Sequence, residues 1–224
     1  RDWDSWLSDV ALRQTLADVG TDADREEAII YEQGCVLNYL AYTSLDDGYM
    51  PMVVDAESDP NKIKPADIYK TNMHKPCLAQ HAAFLVKSTT DSSQGEGSLN
   101  SSAGAEWLRP YFSRLEAFIT NYHDHHRHAA TGLYYWQDDL AIGVDNDPST
   151  FFRPKGSSAS IYLNCLMYKE LRAMSYLAAQ LLLPEAERKY TAMADSLRDA
   201  VRQHCWDERD GMYYSVDLNL TPYT

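Results

Sequence analysis

Between Thr131 and Pro148 the chain runs through Tyr134, Tyr135 and Trp136 and then four carboxylates, Asp138, Asp139, Asp145 and Asp147, with Gly132 and Gly143 among them. These residue types suit a sugar site. Aromatic faces stack on the apolar side of a pyranose ring, and carboxylates bind hydroxyls and can supply an acid or a base. The same composition also fits a solvated acidic loop whose rings pack on neighbouring helices, and composition leaves both readings open.

Other groups invite chemistry but point to plainer roles. His123, Asp124, His126 and His128 have a metal-like density, yet cations at the end of a helix are favoured by its dipole. A solvated helix end is the expectation, and no metal or other cofactor is expected. Asp145-Asn146-Asp147 lacks the glycine and glutamate spacing of a calcium loop. Cys35, Cys77, Cys165 and Cys205 form no Cys-x-x-Cys pair and read as buried free thiols. His74 and Lys75, just before a predicted helix, could contact a pocket or simply cap a surface helix. Asn100-Ser101-Ser102 and Asn219-Leu220-Thr221 are glycosylation sequons, a pattern that chance often supplies.

The elements that must position these residues are helical. Trp6, Val10, Leu12, Leu16 and Val19 predict a helix over 3–19, ended by Gly20. Thr21 caps a second helix with Ile29, Ile30, Val36, Leu37, Leu40 and Ala41 on one face, closed by the turn Asp46-Asp47-Gly48. Residues 49–73 are irregular. Further helices are expected over about 76–87, 103–127, 158–182 and 185–204, the last opened by Pro184. The polar run 88–102 reads as a flexible surface loop, and 131–157 as a functional one. Met212–Val216 could be a short strand. The fold class expected is all-α, built of helical hairpins.

Composition removes several functions. Twenty lysines and arginines against 33 aspartates and glutamates give a net charge of −13. That charge offers no basic footprint for nucleic acid and would be repelled by an anionic membrane surface. No apolar run approaches the length of a spanning helix. Sixteen tyrosines against five phenylalanines favour aromatic surface that stays partly wet, as in a glycan cleft or at the edge of a packed domain.

The order Gly143-Val144-Asp145-Asn146-Asp147-Pro148 resembles the Gly-hydrophobic-Asp-Asn/Asp-x-Pro motif of glycoside hydrolase family 63 and its bacterial relatives, the processing glucosidases and the YgjK-like and mannosylglycerate hydrolase-like enzymes. Other segments follow the family in order. Trp3-Asp4 is similar to its early Trp-Asp, and Asp47-Gly48 with Met50-Pro51 to its Asp-Gly-x-x-Pro. His74-Lys75-Pro76-Cys77-Leu78-Ala79-Gln80 resembles the family's Pro-Pro-x-x-Ala helix start. Tyr162-Leu163-Asn164 stands where Asp-Leu-Asn is usual, and 206–214 resembles the Trp-Asp-x-x-x-Gly-x-Tyr-Tyr turn. Two departures bear on the substrate: Ser149 follows Pro148 with Arg153 further on, and Tyr162 replaces the common aspartate.

The resemblance implies an (α/α)6 barrel and an inverting glycosidase acting on α-glucosides or related α-linked sugars. It makes Asp145 the general acid, with Asn146 orienting it. Trp3 and Trp136 would stack on the sugar, and Asp4, Asp139, Asn164, His74 and Lys75 would complete the substrate contacts. Inversion needs a second carboxylate about 6.5–9.5 Å from the first. In the family that glutamate lies further along the chain than these 224 residues reach, and neither Asp47 nor Asp139 is expected to take its place. The sequence, which begins at Arg1, therefore reads as a partial catalytic domain over 1–224. The other half of the ring is expected from the rest of a longer chain or from a second chain. The alternatives are a catalytically incomplete toroid that only holds a glycan, or a helical-repeat interaction protein. The sequence assigns no compartment.

Overall fold

The computed structural model describes residues 2–59, 67, 72–92, 104–144 and 146–218. The domain is all-α, with seven α-helices among the described residues: α1 (Asp2–Val19), α2 (Asp22–Ala41), α3 (Leu78–Ser92), α4 (Phe112–His125), α5 (Asp139–Ile142), α6 (Ile161–Gln180) and α7 (Pro184–Cys205). Four two-residue strands form two small antiparallel ladders. β1 (Ser158–Ala159) pairs with β4 (Val216–Asp217), and β2 (Trp206–Asp207) with β3 (Met212–Tyr213). Among the described residues no helix is long and apolar enough to cross a membrane.

Local chemistry sets the helix ends. Thr21 and Asp24 form a reciprocal capping box at the start of α2. Pro184 opens α7 at a position where its missing N–H costs nothing. Pro110 has no N–H to give, and the segment expected as one helix from 103 begins instead with a 3-10 turn over Glu106–Tyr111, before α4. α3 runs on to Ser92, five residues beyond its expected end. Ser88 and Thr89 return their hydroxyls to the carbonyls of Phe84 and Leu85, so these polar residues satisfy themselves within the helix. The remainder of the expected loop, 93–102, lies outside the described residues, as do both sequons. Gly48 closes the predicted turn at φ +70, where a Cβ would stand 2.0 Å from the Ala117 carbonyl oxygen.

The core is continuous from α2 to α7. Val36 and Leu40 of α2, Leu78, Ala82, Leu85 and Val86 of α3, Leu115, Phe118 and Ile119 of α4, and Leu163, Met167, Leu171, Met174 and Leu177 of α6 are all buried within it. α6 packs along α7 on one side and along α3 on the other, and α3 also meets α1 and α2. The three helices α1, α3 and α6 run parallel. Residues 3 and 9 of α1 meet residue 75, just before α3, and residue 81 within it, while Trp3 and Trp6 meet Tyr162 and Lys169 of α6. Each of the three is preceded or followed by an antiparallel partner, which is the hairpin rhythm of a helical toroid.

The interior of α1 is not the expected one. Val10, Leu12 and Val19 are exposed, and the residues it buries are Asp2 and Asp9. The helix docks through polar pairs. Lys75 Nζ donates to Asp2 at 3.0 Å, and His81 Nε2 lies 2.6 Å from Asp9. Arg13 pairs with the fully buried Glu32 of α2. All four cysteines are free thiols. Cys77 and Cys205 are buried, Cys35 is half-buried, and Cys165 is exposed, against the expectation for it.

Candidate functional site

The N-terminal ends of α1, α3 and α6 come together, and the 131–157 loop lies across them. Trp3, in the first turn of α1, sits 6.2 Å from Tyr162 in the first turn of α6. Tyr162 is in turn 6.2 Å from Trp136 of the loop. A line of three rings therefore spans the meeting point. The Tyr162 hydroxyl and the Trp136 indole N–H are buried, with no hydrogen-bond partner among the described residues. Burial holds the Tyr162 hydroxyl well above its ordinary pKa, so it is neutral. The starts of α1 and α6 also present their positive dipole ends here, a setting that favours carboxylates, while the first N–H groups of α3 are taken by Glu170 of α6.

The loop is stapled to this platform at several points. Asn164 of α6 is fully buried and spends its amide on backbone: it accepts from Tyr134 N at 2.8 Å and donates to Tyr134 O at 2.9 Å and Ser160 O at 2.8 Å. This fixes the aromatic run that ends in Trp136. Ser215 accepts the first free N–H of α6, from Ile161, and the β1–β4 ladder holds Ser158 and Ala159 beside it. Asp138 caps α5 through Leu140 N and accepts from Asn72 and Lys155 at 2.7 and 2.9 Å. Burial raises the pKa of its carboxyl, but those donors outweigh the effect and hold it below the ordinary range. Asp139 accepts from Thr150 at 2.7 Å, and Asp147 accepts from Ser149 N at 2.7 Å. Gly143 ends α5 in the left-handed region at φ +71, and Asn146 follows at φ +61.

Beneath the rings lies a buried polar knot. The Asp2 carboxylate accepts from Lys75 Nζ at 3.0 Å and from Lys75 N at 3.2 Å. Burial works against its charge, but His74 and Lys75 outweigh it and keep the carboxyl below its ordinary pKa. The Lys75 ammonium lies 4.8 Å from the Trp3 ring centroid. His74 is enclosed. Its Nδ1 donates to the Lys75 carbonyl at 2.6 Å, and its ring meets Tyr39 and Phe118 edge-on. Burial depresses its pKa to about 4, so it is neutral near pH 7.

The structure thus gathers Trp3, Lys75 and Trp136, joined through Tyr162 and the Gly143 turn, around one end of the helix layer, while Asp139 bonds Thr150 within the loop and Asn146 follows the turn. Asp4 is exposed on the first turn of α1, beside this group. His74 and Asn164 stand under and behind the rings, with their bonds directed to backbone. Asp145 lies outside the described residues. Asp47 serves its own turn, accepting from Tyr49 N. Sequence reading passed over Asp2 and Asn72, since an aspartate at a helix start and an asparagine in an irregular segment are ordinary residues with no spacing to mark them.

The histidine run at the end of α4 is partly interior. His126 is buried against Tyr122 and Tyr135 with its pKa lowered to about 4 by burial, and His123 bonds the Tyr134 hydroxyl at 3.1 Å. The expectation of a solvated end does not hold for these two. The tyrosine-rich loop folds back on the helix and covers them. Among the described residues no three histidine, cysteine or acidic side chains gather as a metal site.

Comparison with known proteins places this geometry in a family. The mannosylglycerate hydrolase MGH1-like glycoside hydrolase domain matches residues 35–222. An uncharacterized conserved protein from Thermus thermophilus shares the fold, with a TM-score of 0.60 and 20% identity over 84% of this chain and 54% of its own. A sialidase aligns over 51% of this chain and 10% of its own, with 22% identity and a TM-score of 0.46. No curated protein matches. The chain spans only about half of the Thermus protein's length and about a tenth of the sialidase's. With the family domain matched over 35–222 and its helical hairpins in place, this chain belongs to the MGH1-like glycoside hydrolases.

Proposed function

We propose that this chain carries the acid half of an inverting glycosidase site, acting on α-glucosides or related α-linked sugars, with Asp145 as general acid. The supporting observation is the convergence of three parallel helix starts under one loop. It sets the Trp3–Tyr162–Trp136 rings beside the turn at Gly143 that leads into Asp145. In this reading the rings receive the apolar face of the sugar. Asp145 donates its proton to the leaving glycosidic oxygen, and a water on the opposite face is activated by a carboxylate outside these 224 residues. The remaining helical hairpins of the ring come from the rest of a longer chain or from a second chain.

The test uses the full-length protein. Asp145→Asn should lower kcat on an α-glucoside with an unactivated leaving group by about 10²–10⁴-fold. The same variant should lose far less on α-glucosyl fluoride, whose departing fluoride needs no proton. Product followed by NMR should appear first as the β-anomer. Equal loss on both substrates, or undiminished turnover of the glycoside, would remove Asp145 from the acid role.

A further inference from the structure

Gly143 sits against a specific neighbour. A Cβ built on it would stand 2.8 Å from both Cε and Nζ of Lys75 and 3.3 Å from Trp3 Cζ2. Lys75 is 3% exposed. Its ammonium is pinned by Asp2 and covered by the Trp3 ring, so little of it is open to a ligand. Asp2 and the residue before Lys75 are anchored to the irregular segment after α2: Asp2 N donates to Met52 O at 3.0 Å, and His74 N to Met50 O at 2.9 Å. On its far side the loop is tied by Asn72 and Lys155 to Asp138 and by Thr150 to Asp139. Directly under the Gly143 turn, the contacts are the end of the Lys75 side chain and the edge of Trp3.

We propose that Lys75 is a positioning residue rather than a substrate ligand: held by Asp2 and roofed by Trp3, it forms the floor on which the Gly143 turn rests, and it thereby sets the entry of the chain into Asp145. The proposal rests on the reading of Asp145 as general acid for its consequence in catalysis, but not for its geometry. A turn with no side chain at 143 can settle to contact with the lysine stem. Any side chain there would lift it, and loss of the stem would let it sink. Misplacement of a reacting group by about 1 Å costs on the order of 10²-fold in rate while leaving substrate binding largely intact.

Lys75→Ala alone would strand the buried Asp2 carboxylate and could unfold α1. The variant of choice is therefore Asp2→Asn/Lys75→Ala in the full-length protein, with Gly143→Ala and the triple variant completing a cycle. With methyl α-D-glucopyranoside as probe, whose leaving alcohol needs the proton, kcat should fall at least about tenfold with KM within about twofold. The triple variant should lose less than the product of the two separate losses, because removing the lysine stem relieves the 2.8 Å clash and leaves only the cost of the positive φ at 143. Amide hydrogen exchange over 139–150 should quicken at least about tenfold in Asp2→Asn/Lys75→Ala, with α7 unchanged as internal control. A raised KM with unchanged kcat would make Lys75 a substrate ligand and overturn the proposal, as would fully multiplicative losses or unchanged exchange in the loop. Should the parent protein turn over no glycoside, the glycosidase reading fails and the exchange measurement alone decides the role of Lys75.

Discussion

Glu170 is fully buried in the third turn of α6, yet its two oxygens accept Ala79 N at 2.7 Å and Gln80 N at 3.0 Å. It supplies from outside the cap that the start of α3 does not carry itself. Burial raises its pKa to about 7, although the backbone donors favour the ionised form. The sign of the linkage follows. Between about pH 4.5 and 7 the unfolded chain gives up a proton that the folded one keeps, so this group lowers stability as pH rises through that window. Glu170→Gln should remove that dependence. It should also cost about 1–3 kcal/mol near pH 5, since an amide cannot accept both backbone N–H groups. Urea unfolding of both proteins at pH 5 and pH 8 checks this, and a parallel pH response in the two would refute it. The residue was visible in outline. Position 170 falls in phase with Leu163, Met167, Met174 and Leu177, but the stripe gives no hint that a second helix start needs two acceptors there.

Among the elements, the hairpin turn at Asp46-Asp47-Gly48 and helix α1 show opposite outcomes. The turn forms where expected, and α4 closes on it: Asn121 donates to the Asp47 carbonyl at 2.7 Å, and the Ala117 carbonyl fills the space beside Gly48. Gly48→Ala must adopt a disfavoured positive φ and push backbone aside. The expected cost is at least ~2 kcal/mol, a fall in melting temperature of roughly 4–8 °C for a domain of this size. Calorimetry measures it, and a change under about 1 °C would mean that the turn yields freely. For α1, periodicity predicted the helix correctly and its buried face wrongly. The face that docks is chosen by Asp2 and Asp9, whose partners Lys75 and His81 lie over 70 residues away in sequence.

For the molecule as a whole, two enclosed imidazoles tie stability to acid. His74 and His126 are both pushed down to about 4 by burial, against 6.5 for an exposed histidine. Between about pH 6.5 and 4 the unfolded chain binds protons that the folded one refuses, so each histidine removes stability as pH falls, roughly 1.4 kcal/mol per pH unit. Glu170 works in the opposite sense over part of the same range. The clean observable is therefore a difference between proteins. His126→Gln should have a stability–pH slope shallower than the parent's by about 1.4 kcal/mol per unit between pH 6 and 4.5. Denaturant midpoints across that range give the slope, and identical slopes would place His126 in contact with water. Of the 33 aspartates and glutamates, Asp2, Asp9 and Glu32 are buried against Lys75, His81 and Arg13.

By itself the sequence determined the helical class, the capped start at Thr21 and the proline start at Pro184, and the family that the match over 35–222 bears out. Each of these is local: a period, a cap or a short ordered string can be read without knowing what lies across the fold. The tertiary structure alone decided which groups share the site. Trp3, Lys75, Trp136 and Tyr162 come together only because three parallel helices bring their first turns to one end. The same packing turned Asn164 toward the Tyr134 backbone and drew His74 into the core. A buried amide or imidazole takes the partners that its surroundings offer, and those surroundings are made of residues far away in sequence.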